Sequence, residues 1–346
     1  IRLEKNSLIE NGEAQLKITS VPKPLLTLKS NGEIPERLID AYSSALLKQA
    51  EQHPELLALS GDLAYDTGLI DFEKRFPERF IECGIAEQDM VSQAGGIALR
   101  GGLPVVHSFS CFLTPRANEQ IYNNATEETR IVYVGSLAGL LPGMPGHSHQ
   151  SVRDISLLSQ IPRMVMVEPS CEKEVEMALD FCVNHNGPSY LRLTSIPVEL
   201  PFELPENYKL QPGQGATITN GDDLLVIAYG PVMLAEAVKA AEILEKGKVR
   251  ISVVNFPWLN TVDKGWLKEL VLPFDRIILL DNHYLHGGQG EFLNRIMTSE
   301  GMLENKRIKL HGLDSIPVCG THQEVLNFHE MDAESLVQQF QQFLKS

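Results

Sequence analysis

From about residue 35 the chain alternates two kinds of apolar pattern. Ile39, Tyr42, Ala45, Leu46 and Ala50 recur at three- and four-residue spacing, which predicts a helix, and the apolar run Leu56-Leu57-Ala58-Leu59 that follows predicts a strand. Pro104-Val105-Val106, Arg130 to Val134, Met164 to Val167 and Tyr190 to Leu193 read as further strands, with helical patterns over Glu87 to Leu99 and Glu172 to Val183. Short, almost continuously apolar strands separated by helices predict a parallel sheet covered on both faces.

After a Pro-, Gly- and Asn-rich stretch at about 200–220 the alternation resumes. Leu224 to Ala228, Ile251 to Val254 and Ile277 to Leu280 are strand-like, and Val232 to Glu245 is helical with Gly247 as its stop. The final helix sets Leu336, Phe340 and Leu344 on one face. The expected architecture is α/β: two consecutive domains with mainly parallel sheets flanked by helices. Its expected divisions are an extension at 1–33, a first domain at 34–203, a linker at 204–221 and a second domain at 222–346. Within the extension Pro22 and Pro24 interrupt the pattern, and Asn31-Gly32 closes it as a turn.

A length of 346 residues agrees with about two domains at roughly 150 residues each. The net charge of -15 leaves no basic stripe for a phosphate backbone, so nucleic acid is not an expected partner. No apolar run approaches the ~20 residues of a membrane span, and Ile1 to Glu10 has no signal-peptide core, so the expectation is a cytoplasmic enzyme with no membrane partner. Five widely spaced cysteines without a C-x-x-C pair predict free thiols, with no zinc site among them.

The densest chemistry is Ile81-Glu82-Cys83-Gly84-Ile85-Ala86-Glu87-Gln88-Asp89. Glu87 enters a helix, either as an exposed first-turn acid or as a buried one. Two phenylalanines three apart, Phe109 and Phe112, are either core or a ring-binding wall. A loop histidine between Gly and Ser, in Gly146-His147-Ser148-His149-Gln150-Ser151, sits where sites are usually carried.

Gly84-Ile85-Ala86-Glu87-Gln88 resembles the pyrimidine-domain signature of transketolases and related thiamin-diphosphate enzymes. Ser60-Gly61-Asp62-Leu63, the Ser108 to Phe112 segment followed by Arg116, the Gly146 to Ser151 loop, and Asp281-Asn282-His283 with Gly287-Gly288-Gln289-Gly290 extend the likeness across about residues 35 to 346. The resemblance implies that Glu87 hydrogen-bonds the N1′ nitrogen of the cofactor's aminopyrimidine. Asp62, Phe109 and Phe112 would hold its rings, and His149 would act as acid/base on the reacting fragment. Arg37, Arg116, His147, His149 and Gln150 would contact substrate. The Gly287 to Gly290 glycines are expected to be structural.

A Gly-Asp-Gly motif followed downstream by Asn, the usual ligand set for the Mg²⁺ or Ca²⁺ on the diphosphate, is not found in this sequence. No metal ligand is therefore assigned to this chain. The resemblance then implies a split enzyme whose N-terminal partner subunit carries the diphosphate domain, in a heterotetramer with two copies of each chain. At positions where the family binds substrate phosphate or hydroxyl groups this chain has Leu137, Pro145, Glu168 and Asp66, whereas Arg37 is retained. Two added carboxylates would oppose a phosphate. The expected reaction is transfer of a two-carbon ketol or acyl unit from a ketose-type donor to an aldose or a carrier-bound thioester, an acyl-carrier protein included. A subunit that decarboxylates 2-oxo acids and a non-catalytic partner subunit are the alternatives.

Overall fold

In the computed structural model, residues 37–346 are described. The expected extension at 1–33, with its Asn31-Gly32 turn, lies outside the described residues.

Eleven strands form among those residues: β1 Leu56–Ser60, β2 Phe80–Glu82, β3 Leu103–Phe109, β4 Val132–Ser136, β5 Val165–Val167, β6 Ser189–Leu193, β7 Ala216–Thr219, β8 Leu224–Ala228, β9 Ile251–Asn255, β10 Arg276–Tyr284 and β11 Arg307–Leu313. The first six build one sheet in the order β2-β1-β3-β4-β6-β5, parallel throughout. The other five build a second sheet in the order β11-β10-β8-β9-β7. Its pairs are parallel except β7 with β9, which is antiparallel.

The helices follow the predicted apolar stripes. In the helix Leu38–Gln52 the buried residues are Leu38, Ile39, Tyr42, Ala45, Leu46, Gln49 and Ala50, which is the stripe read from the sequence plus Leu38 and one glutamine. Gln49 is kept inside by donating from Nε2 to Asp180 Oδ1 at 3.1 Å, on the neighbouring helix Glu172–Asn184. The helix Pro231–Glu245 buries ten of its side chains because it lies between the second sheet and the C-terminal helix Ala333–Lys345.

The segment 204–221, expected as a linker, also contributes β7 as the antiparallel edge of the second sheet. The two sheets are the two consecutive α/β layers expected, and they pack together within one compact unit. One core cluster joins Val167 and Leu191 of the first sheet to Val254, Phe256 and Trp258 of the second. Backbone bonds cross the same seam, from Glu168 N to Pro257 O at 2.9 Å and from Leu259 N to Met166 O at 2.9 Å.

The carboxyl ends of β1, β2, β3 and β4 open onto one edge of the first sheet, where loops carry side chains in parallel α/β folds. The Ser60 to Leu63, Gly84 to Gln88 and Ser108 to Phe112 motifs lie there, while Asp281-Asn282-His283 lies in β10 of the second sheet.

Candidate active site

Glu87 is the first residue of the helix Glu87–Leu99, reached from β2 through a turn in which Gly84 takes φ +71°. Glu82, ending β2, accepts hydrogen bonds from the backbone N–H of Gly84 and of Asp62, each at 2.8 Å. The turns after β1 and β2 are thus tied together by one carboxylate. Asp62 is exposed, with φ 62°, a left-handed conformation that aspartate tolerates better than most residues.

The Glu87 side chain is only 4 % exposed. Its Oε1 accepts from Arg116 Nη1 at 2.8 Å and from Ser108 Oγ at 3.4 Å. Oε2 receives no hydrogen bond from the described residues. The helix N-terminus adds its own positive field. One oxygen is therefore anchored and the other is free for a donor or ring nitrogen from outside the chain.

Phe109 ends β3, and Phe112 and Arg116 follow one turn apart on the helix Ser110–Arg116. The guanidinium carbon of Arg116 lies 4.1 Å from the Phe112 ring centroid. His149 presents a T-shaped contact to Phe112, with centroids 5.1 Å apart, and a second to Phe109 at 6.3 Å. The two phenylalanines are 5.8 Å apart. The imidazole is held by Ser148 Oγ at 3.0 Å from its Nδ1 and by a backbone bond from His149 N to Gly146 O at 2.9 Å. Glu87, Arg116, Phe109, Phe112 and His149 are thus linked by direct contacts, and Asp62 stands on the adjoining loop.

The other expected residues stand apart from this group. Arg37 donates from Nε to Ser195 O at 2.9 Å. His147 is exposed, and Gln150 is buried with Nε2 donating to Leu140 O at 3.0 Å and Val318 O at 3.1 Å. Glu168 does not supply the expected repulsion of a substrate phosphate. That carboxylate is fully buried and ion-paired to Arg192, and it accepts from Thr194 Oγ1 at 3.0 Å, so its charge is already compensated inside the protein. Asp66 is exposed, and so is Pro145.

Sequence reading missed the polar cluster under the site. Arg192, in β6 and wholly buried, pairs with Asp154 at 2.7 Å and with Glu168, and donates to Ser151 O at 3.0 Å and Asn282 O at 3.1 Å. Asp154 also accepts from Ser110 Oγ at 3.0 Å and Tyr190 Oη at 2.8 Å. Burial alone would raise the Asp154 carboxyl, but the Arg192 charge and these donors hold it below its usual range. Burial prevails at Glu168, which is raised. Ser110 starts the helix of Phe112 and Arg116, and Ser151 ends the His149 loop; their Oγ atoms meet at 2.6 Å. The cluster therefore fixes the base of both elements and ties them to β10 of the second sheet. An arginine inside the apolar run Tyr190-Leu191-Arg192-Leu193 was the available signal.

The Gly287 to Gly290 turn has the structural character expected of it. Asp281 accepts from Gln289 N at 2.9 Å and Gly290 N at 2.8 Å, capping the helix Gln289–Ser299, and a Cβ at Gly290 would stand 2.7 Å from Asp281 Oδ2. Burial pushes the Asp281 carboxyl up to about 6.

Residues 37–198 match the family model "Transketolase, pyrimidine binding domain" and residues 213–336 match "Transketolase, C-terminal domain". The chain belongs to the transketolase family. Among its relatives, a Methanocaldococcus jannaschii protein named as a transketolase C-terminal section is 29 % identical over 306 residues, 88 % of this chain and 95 % of that protein. The 1-deoxy-D-xylulose-5-phosphate synthase of Desulforudis audaxviator is 32 % identical over 280 residues, 80 % of this chain but 43 % of the synthase. A solved structure named "Split gene transketolase, inactive beta4 tetramer" superposes with TM-score 0.78 at 26 % identity, covering 90 % of this chain and 99 % of that one. Transketolase from Leishmania mexicana shares the fold, with TM-score 0.74 at 18 % identity over 93 % of this chain and 47 % of its own. The chain thus corresponds to the C-terminal part of a transketolase. No helix among the described residues is long and apolar enough to cross a membrane.

Proposed function

We propose that this chain is the pyrimidine-binding subunit of a thiamin-diphosphate-dependent enzyme that transfers a two-carbon ketol or acyl unit. The observation that carries it is Glu87: a carboxylate 4 % exposed, anchored through one oxygen, and linked through Arg116 to the Phe109–Phe112–His149 aromatic group. Such a residue fits a protonated or proton-sharing ring nitrogen. When bound, thiamin diphosphate supplies the carbon nucleophile for cleavage of a donor carbonyl compound.

Each side chain has a role within that chemistry. Glu87 holds a proton at the N1′ ring nitrogen. Phe109 and Phe112 form an apolar wall that packs on the aminopyrimidine and excludes water. His149, braced by Ser148, donates or accepts a proton at the substrate oxygen, and Arg116 keeps Glu87 charged-paired while facing partly outward, with a side chain 44 % exposed. Asp62, exposed on the adjoining loop, would contribute to holding the thiazolium ring.

The diphosphate and its Mg²⁺ or Ca²⁺ would be held by a second polypeptide, since a Gly-Asp-Gly motif with a downstream Asn is not found in this sequence. The family likeness to a split-gene transketolase supports that division, and by the same likeness the chain alone is inactive. With Glu168 internally compensated, the case against phosphorylated substrates rests on Asp66 and on the loss of the family's phosphate ligands.

Reconstitution with a diphosphate-binding partner chain tests the reaction. Ketose donors, offered with an aldose acceptor, should be cleaved and their two-carbon unit transferred. Release of CO2 from 2-oxo acids without ketose cleavage would replace ketol transfer by decarboxylation.

A further inference from the structure

We propose that a cavity of about 380 Å³, behind the helix Ser110–Arg116, is a second ligand site built for a small hydroxylated oxyanion.

The cavity is separate from the ring-binding wall. It is lined by Cys111 and Thr114 of that helix, whereas Phe112 and Arg116 face the Glu87 side. At 3.6 residues per turn these two pairs point about two fifths of a turn apart. The opposite walls come from the His149 loop and, across the seam, from Tyr284 at the end of β10 and Ile316. Both sheets therefore shape it. Its volume lies at the small end of the range for ligand pockets, roughly 300–1,000 Å³, which suits a short metabolite and not a dinucleotide.

Its chemistry selects an anion with a hydroxyl group. Arg153 lines the cavity, is exposed and enters no ion pair among the described residues. An uncommitted guanidinium on a chain of net charge -15 is a fork for carboxylate or phosphate oxygens. His147, Ser148 and Tyr284 add polar atoms to the lining. Gln150 stands in the same wall at 4 % exposure, with Nε2 donating to Leu140 O and Val318 O and with Oε1 buried and unpartnered. A buried acceptor without a donor is costly, and a ligand hydroxyl group brought within reach of it would satisfy it.

Occupancy would be felt at the candidate active site. Ser148 lines the cavity while its Oγ holds His149 Nδ1 at 3.0 Å, so a ligand that takes the Ser148 hydroxyl resets the imidazole that packs on Phe112. This coupling rests on the role proposed for His149; the binding itself does not.

Calorimetric titration of the full chain, alone and with its diphosphate-binding partner, tests the site with three probes: D-glycerate, glycerol 3-phosphate and inorganic phosphate. At least one hydroxylated probe should bind saturably, and Arg153→Ala or Tyr284→Phe should weaken it, the arginine change by about tenfold or more. Preference for glycerol 3-phosphate assigns the anion as a phosphate ester, and preference for glycerate as a carboxylate. Inorganic phosphate binding as tightly as the hydroxylated probes would overturn the hydroxyl requirement. Absence of saturable binding of both hydroxylated probes, or affinity unmoved by Arg153→Ala, would overturn the site. Because turnover is not read, either failure leaves the ketol-transfer proposal standing.

Discussion

Arg116 and Glu87 are joined at 2.8 Å through a single carboxylate oxygen, and the same guanidinium lies 4.1 Å above Phe112. One arginine thus orients the acid and supports an edge of the aromatic wall. Removing it should expose the dependence. Arg116→Ala leaves a carboxylate 4 % exposed without its cation, a loss of about 1 kcal/mol after discounting the half-exposed arginine for solvent screening. Urea unfolding of the variant should show an earlier midpoint, and an unchanged midpoint would mean the pair contributes nothing to the fold.

Glu87→Gln keeps size and shape while removing the acid. Turnover of the reconstituted enzyme should fall by about 10²-fold or more, the scale of positioned proton transfer. The unfolding midpoint is the control, so that lost activity is not mistaken for lost fold. Wild-type turnover in this variant removes Glu87 from the chemistry.

Breaking the buried cluster should cost far more than breaking a surface pair. Asp154→Ala strips Arg192 of a partner at 2.7 Å with both side chains 0 % exposed, which should destabilise by about 3–5 kcal/mol. Lys48–Glu176, at 2.9 Å but with side chains 59 % and 58 % exposed, should lose less than about 1 kcal/mol on Lys48→Ala. Denaturant unfolding of both variants gives the comparison. Equal effects would deny the cluster its role as the anchor of the Phe112 helix and the His149 loop.

The stability of the fold should carry the signature of His107. Its imidazole is wholly buried between Tyr42 Oη, at 2.6 Å from Nε2, and Leu59 O, at 3.1 Å from Nδ1, and burial pulls it down to about 4. Between the ordinary histidine value of about 6.5 and that lowered one, the unfolded chain binds a proton that the folded chain refuses. The contribution is full above about pH 6.5 and is lost as pH falls toward 4, on the order of 3 kcal/mol in all. Asp281 acts with the opposite sign, since its raised carboxyl stabilises most at low pH and loses that contribution as pH rises through about 6. The difference between wild type and His107→Gln isolates the histidine. A difference that does not change between pH 7 and pH 4.5 would contradict its assignment.

Much of this was legible because it is local. Helical spacing located Glu87–Leu99 from its own residues, and the apolar runs located β1, β3, β4, β6 and β8. Glu87, Phe109, Phe112 and His149 were legible through family motifs, and the structure brings them into one group. The short or half-exposed strands were not legible: β2 has three residues, β7 four within a Pro- and Gly-rich stretch, and β11 reads Arg307-Ile308-Lys309-Leu310-His311 with charged residues interrupting its apolar pattern. Pairing with a neighbour, and not their own pattern, makes them strands. The Ser110–Ser151–Asp154–Arg192 cluster was hidden for the same reason. Its members are scattered over three stretches of the chain and acquire meaning only when the chain folds them together. Glu168 shows the converse hazard, since a position matched by motif said nothing of the arginine that neutralises it.

Cofactor uptake by the two-chain assembly tests the central claim most directly. Thiamin diphosphate titrated with Mg²⁺ into this chain and its diphosphate-binding partner should bind saturably, with affinity reduced by Phe112→Ala, and neither chain alone should match the pair. Absence of saturable uptake by the pair, or uptake indifferent to Phe112→Ala, would contradict the assignment of the Glu87 site to the aminopyrimidine.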